Sequence, residues 1–148
     1  MIQQPLGANK FHAHVVPKIS IGDYLNRIER YSMCSKECFV IALLYIDRFI
    51  YGVGLQNAAV NHHSIHRILI TSIMLAAKFY DDQYFNNAYY AKIGGLDTSE
   101  LNSLEAEFVL HIKFVLAVQE DQMNQYYYEL RNHFKTFIQP YLAPTTEQ

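Results

Sequence analysis

From Ser20 onward, apolar residues recur every three or four positions between short polar or glycine-bearing breaks. That period predicts helices. Ser20 caps a first helix from Ile21 to about Tyr31. Ser35, with Lys36 and Glu37, opens a second that runs to about Tyr51 and stops at Gly52 and Gly54. Asn61 to Ser64 leads into a third, Ile65 to about Tyr80, and a short fourth, Asn87–Ile93, ends on Gly94 and Gly95. Asp97 and Glu100 have capping-box spacing and start a fifth helix that reaches about Lys113. A last helix covers about Glu120 to Phe137, and Pro140 ends the order. Strand alternation is nearly absent, so the class is all-α. The organisation follows: an N-terminal arm (1–17), a helical domain (18–118), an additional C-terminal helix (119–138) and a flexible tail (139–148).

Two of these helices lack a wide polar face. The stretches "FVIALLYI" (39–46) and Ile65–Phe79 are apolar nearly all round, as helices in the middle of a bundle are. In the third helix Arg67, Thr71 and Lys78 fall at roughly 0°, 40° and 20° on a wheel, one narrow polar stripe. In the fifth, Leu101, Leu104, Phe108, Val109 and Ile112 form an apolar arc, and Glu105 stands inside it at roughly 40°. A carboxylate there is costly unless a cation or donors meet it. Lys78 and Glu105 therefore each break the apolar logic of their own helix. Either their long stems carry the charges out to solvent, or the two meet at the edge of the core with Val109 beside them. The pattern alone leaves both readings open.

Composition narrows the field. The 148 residues are 51% hydrophobic and 18% charged, enough for one domain with a core that needs no disulfide or metal staple. No apolar run reaches membrane-spanning length, and no leader segment is evident, so a soluble intracellular protein, cytoplasmic or nuclear, is expected. A net charge of −2 without a basic stripe argues against a sequence-independent grip on nucleic acid. Cys34 and Cys38 form half of a zinc-type spacing that nothing completes, and read as reduced thiols. His62 and His66 stand four apart, but no third ligand is evident; surface positions at the helix start are the simpler reading. The aromatic stretches "YFNNAYY" (84–90) and "NQYYYELRNHF" (124–134) lack the interleaved cations of a nucleic-acid stacking platform.

With "YIDRF" (45–49), "LAAKFYDD" (75–82), "NNAYYAKIGG" (86–95) and "ELNSLEAEFVL" (100–110) in this order, the chain resembles a cyclin box. With "FHAHVVPKISIGDYLNRI" (11–28) ahead of them, it is similar to the P/U-type, phosphate-regulatory branch of the cyclins. The resemblance covers about residues 11–117. It implies a five-helix bundle with a central third helix. It also implies a partner rather than a reaction: a regulatory subunit, not an enzyme, that binds and activates a cyclin-dependent protein kinase by positioning its regulatory helix. No cofactor or metal is implied, nor any nucleic-acid or membrane partner, and the free chain is expected to be a monomer.

In that family a lysine ending helix three and a glutamate on helix five orient the kinase backbone; these positions match Lys78 and Glu105. Adjacent apolar contacts carry over onto Phe79, Val109, Phe114 and Leu116. Asp47 of "YIDRF" matches a residue that pairs with an arginine ahead of helix one, where this chain has Lys18, so a structural Asp47–Lys18 ion pair is implied. The substrate-docking groove of cell-cycle cyclins departs from its pattern here: the stretch is "PKISIGDYL", with Tyr24 where a tryptophan is usual. The alternative function is a cyclin-box-like helical adaptor in transcription with no kinase partner. Such domains come as tandem repeats with a basic face, which one box at net charge −2 lacks. The kinase, its substrates and pathway, and the roles of Asp81 and Asp82 do not follow from the sequence.

Overall fold

A computed structural model describes residues 8–54 and 59–142. A 3-10 turn, Ala8–Phe11, precedes α1 (Ile21–Ser32), α2 (Glu37–Val53), α3 (Ile65–Tyr80), α4 (Asn87–Gly94) and α5 (Thr98–His111). No strand occurs among the described residues, and the all-α expectation holds. The chain divides into two units, residues 1–116 and 117–148.

In the first unit α3 is the axle. Every residue from Ile68 to Ala77 is buried, and α1, α2, α4 and α5 all touch this helix. The central third helix read from the sequence is therefore present. Its polar stripe is not wet along its length, however: Thr71 is fully buried and donates its hydroxyl to the Arg67 carbonyl at 2.7 Å. A threonine that bonds back one turn satisfies itself and needs no water. Ser20 caps α1 as expected, accepting from Asp23 N–H, and the Asp97–Glu100 capping box opens α5.

The N-terminal arm contributes to the core. Phe11 is buried and meets Phe49 of α2 at 5.0 Å and Phe108 of α5 at 6.1 Å, while Phe49 and Phe108 stack at 4.7 Å. Burying one such ring contributes about 1.5–3 kcal/mol. Helices α2 and α5 approach so closely at Gly52 that a Cβ there would lie 2.0 Å from the His111 carbonyl oxygen. The glycine that reads as a stop signal is thus also a contact. Lys18 and Asp47, the residues of the implied ion pair, lie ahead of α1 and in α2. Both side chains are exposed, where such a pair gains at most about 1 kcal/mol. The arm's cation that reaches the box is Lys10, at 3.5 Å from Glu107.

Ser35 does not cap α2 with its own side chain. Instead it is held by Asp81, the first residue beyond α3: one carboxylate oxygen accepts the Ser35 hydroxyl at 2.7 Å, the other the Ser35 N–H at 3.0 Å. The Cys38 thiol also donates to Asp81, at 3.4 Å. Both cysteines are free thiols, Cys38 buried and Cys34 half-buried. Asp81 thus ties the C-terminal end of α3 to the N-terminal end of α2, where a negative charge is favoured.

In the second unit, α6 (Glu120–His133) passes through a π-helical turn, Phe134–Ile138, into α7 (Gln139–Leu142). Helical order thus continues past the predicted stop at Pro140. The proline stands inside this continuous path and, having no N–H, leaves a carbonyl of the preceding turn without that donor. The rest of the expected tail, 143–148, and the start of the arm, 1–7, lie outside the described residues.

Partial burial works to raise the Asp81 pKa, but the hydrogen bonds from Ser35 and Cys38 outweigh it and hold the carboxyl below its usual value. A depressed carboxylate adds stability above its unfolded pKa of about 3.9, and that stability is lost as pH falls through the folded value. Asp81→Ala should therefore lower unfolding free energy by about 1–2 kcal/mol at neutral pH. In urea melts the gap to wild type should narrow below about pH 4. A gap that stays constant or widens in acid would contradict this role.

Candidate functional site

The C-terminal end of α3 and the exposed flank of α5 form the walls of a groove of about 590 Å³. Lys78, Phe79, Glu105, Val109, Phe114 and Leu116, the six residues singled out in the sequence, all line it. Leu75, Asn102, Ala106 and Leu110 complete the lining.

The two charges meet. Lys78 Nζ donates to Glu105 Oε2 at 2.7 Å, with the side chains 31% and 23% exposed. A third residue, not recognised in the sequence, closes the network: Asn87, the first residue of α4, accepts from Lys78 Nζ at 2.9 Å and donates to Glu105 Oε1 at 3.1 Å. The same amide nitrogen donates to Asn102 Oδ1 at 2.8 Å. Of the two open readings, pairing at the core edge is therefore the one the molecule adopts, although both groups retain access to solvent. Capacity also remains. An ammonium has three donors and a carboxylate about four acceptor sites, so two bonds on each leave hydrogen-bonding atoms for a visitor.

The apolar part of the groove is unusually open for large side chains. Phe79 is 49% exposed, Leu110 58% and Phe114 68%. Phe114 owes its position to a tight turn after α5, in which Lys113 (φ 54°) and Phe114 (φ 60°) are both left-handed. Each such non-glycine residue costs about 1–2 kcal/mol. The turn persists because Phe114 N–H returns to the Val109 carbonyl and Lys113 N–H to that of Leu110, each at 3.0 Å. Beyond it the strand of chain is fixed from below: the buried Tyr45 hydroxyl donates to the Leu116 carbonyl at 2.7 Å, and Arg48 donates to that of Val115 at 2.9 Å. Burial pushes the Tyr45 phenol well above its ordinary pKa, so it remains a neutral donor. Strained backbone held by several independent bonds is characteristic of sites that present a side chain for use.

Chemistry of other kinds is not assembled. Among the described residues no three His, Cys, Asp or Glu side chains lie close enough to hold a metal ion, and no helix is long and apolar enough to cross a membrane. His66 is not a surface residue as expected from its place in "HHSIH"; it is buried, with Nε2 on the Ile19 carbonyl at 2.8 Å. His63 turns to the Ala13 carbonyl at 2.9 Å, and its ring stacks on that of His12 at 4.4 Å.

Comparison with known proteins agrees with the arrangement. The Cyclin family model matches residues 2–116, which end where the first unit ends. The chain is 45% identical over 130 residues to Cyclin-U4-1 of Arabidopsis thaliana, covering 88% of this chain and 63% of that protein. It is 47% identical over 118 residues to Cyclin-U3-1 of the same plant, covering 80% and 52%. Against Cyclin-P3-1 of Oryza sativa subsp. japonica it is 42% identical over 128 residues, covering 86% and 53%. The chain thus spans between about half and two thirds of the length of these relatives. The matching family model, the U- and P-type relatives and the all-helical box agree: the chain belongs to the cyclin family.

Proposed function

We propose that this chain is the regulatory subunit of a cyclin-dependent protein kinase, and that the groove between α3 and α5 receives the kinase. The observation that carries the reading is the convergence of Lys78, Glu105 and Asn87 with the exposed rings of Phe79 and Phe114 on one concave face. An amphipathic helix docks into such a groove by its apolar side chains. The spare donor of Lys78 and spare acceptors of Glu105 would then meet backbone carbonyl and amide groups of the visitor, which every helix end or adjoining loop offers.

Activation follows from differential binding. A subunit that binds the active arrangement of the kinase more tightly than the inactive one shifts its population by that difference in affinity. Seating the kinase's regulatory helix completes its Lys–Glu ion pair and supports the magnesium-binding aspartate, both required for phosphoryl transfer. The cyclin itself supplies no reacting group in this scheme.

Lys78→Glu or Glu105→Lys replaces an attraction by a repulsion on a half-buried face. Each should lower the melting temperature by about 2–8 °C, as expected for a loss of about 1–2 kcal/mol in a domain of this size. Each should also abolish co-purification of cyclin-dependent kinase activity. A folded variant that still carries an active kinase would contradict the proposal. Asn87→Ala leaves both charges in place and removes only the amide that holds them. It should weaken kinase binding about fivefold, the worth of one hydrogen bond of about 1 kcal/mol, when affinity is measured by surface plasmon resonance. Unchanged affinity would show that the network does not position the lysine.

A further inference from the structure

Where Asp81 ties the end of α3 to the start of α2, the two cysteines of the chain also come together. Cys34 follows the end of α1 and Cys38 lies in the first turn of α2, so the pair stands four positions apart across the start of a helix. Their surroundings differ. Cys34 is half-buried and keeps access to solvent, whereas Cys38 is 0% exposed. The Cys38 sulfur lies 3.4 Å from Asp81 Oδ2 and 3.3 Å from the Ser35 hydroxyl, and the Cys34 and Cys38 thiols hydrogen-bond each other. Neither sulfur lines the groove between α3 and α5.

The two sulfurs are prepared for opposite roles. A hydrogen bond from Cys38 brings the Cys34 thiol down to about 7 against the opposing effect of burial, and the Ser32 hydroxyl assists. The same bond to Cys34, together with burial, pushes Cys38 up, so Cys38 keeps its proton. That single proton serves two acceptors in turn: it points to Asp81 while Cys34 is a thiol, and to the Cys34 sulfur once that sulfur is a thiolate. The thiolate is the nucleophilic form, and a helix start favours it. A thiol of lowered pKa that solvent reaches, with a second thiol beside it, is the arrangement that oxidants attack selectively and reversibly.

We propose that the two cysteines form an oxidation site for hydroperoxides, at which Cys34 reacts first and Cys38 then closes an intramolecular disulfide. In the first step the Cys34 thiolate attacks the O–O bond. One oxygen passes to sulfur with its hydrogen, giving a sulfenic acid, and the other leaves as an alkoxide or hydroxide that takes up a proton. In the second step the Cys38 sulfur attacks the Cys34 sulfur, the S–O bond breaks, and the oxygen leaves as water with the Cys38 proton. Two thiols have then lost two electrons and two protons, and the hydroperoxide has become an alcohol and water, or two waters where it is hydrogen peroxide. The Asp81 carboxylate, already hydrogen-bonded to Cys38, is placed to draw that proton from the sulfur. A disulfide has no S–H, so Asp81 loses one of its three bonds to the start of α2. Oxidation therefore acts on the tie between α2 and α3, and it does not depend on what the groove binds.

The test treats the full chain, reduced and then freed of reductant, with hydrogen peroxide at neutral pH, and follows free thiols and intact mass. Expected is the loss of both thiols and of two hydrogens per chain, faster than the oxidation of glutathione under the same conditions. No covalent dimer should appear on a non-reducing gel, and dithiothreitol should restore both thiols. Peptide mapping of the oxidised wild-type protein should find Cys34 joined to Cys38, a readout that does not depend on any variant folding. Cys38→Ser should stop at the Cys34 sulfenic acid, trapped by dimedone. Cys34→Ser should slow the loss of the remaining thiol at least about tenfold, because Cys38 keeps its proton. Oxidation no faster than that of glutathione, a disulfide between chains in place of one within the chain, or a Cys34→Ser protein that loses its thiol at the wild-type rate would each overturn the assignment.

Discussion

A helix buried on nearly every side is the constraint from which the rest of this structure follows. From Ile68 to Ala77, α3 has no wet face, so every neighbouring helix must be placed to cover it. Charge can emerge only at its two ends. At the C-terminal end Lys78 emerges into the groove and Asp81 locks onto the start of α2. At the N-terminal end Arg67 reaches out to Glu100 while His66 stays buried on the Ile19 carbonyl. The chemistry of the first unit lies at the ends of its most apolar element, and that follows from the cost of burying a charge anywhere else.

The groove combines two kinds of order. Its ion pair is held by a bridging amide, which fixes the orientation of two flexible side chains before any partner arrives. Its aromatic wall depends on a strained turn whose cost is offset by backbone bonds and by the buried hydroxyl of Tyr45. Exposed rings beside a pre-positioned charge pair are costly for a solitary protein. They are economical for one that meets a partner, because less side-chain entropy remains to be lost on binding.

Much of this was legible in the sequence where the signal was periodic. The bounds of α3 and the capping box of α5 follow from spacing alone, whereas the misfit of Glu105 in its apolar arc left a pairing with Lys78 as one of two readings, the one the molecule adopts. What the pattern did not show was long-range pairing of short polar side chains. Asn87 resembles a capping residue beside Asn86, and only the tertiary fold brings its amide between two charges. Asp81 ends one helix in sequence but serves another in space. Thr71 and His66 looked solvent-facing by type, yet each finds a backbone carbonyl and is buried. No period announced the anchorage of the arm by Phe11 and Lys10 either, because each of these contacts joins residues far apart in sequence. The α-helical path beyond Pro140 was missed because a π-helical turn resets the ladder, and no composition rule announces one.

The central claim is that Lys78 and Glu105 serve a partner and not only each other. The double exchange Lys78→Glu with Glu105→Lys separates the two roles, because it restores the internal pair while moving the donor and the acceptor to opposite walls of the groove. Melting temperature and capture of the cyclin-dependent kinase, measured on the same preparation, decide between them. The account predicts a melting temperature within about 2 °C of wild type, a recovery worth about 1 kcal/mol, with kinase capture still lost. Kinase binding restored along with stability would show that the pair is only a strut of the fold.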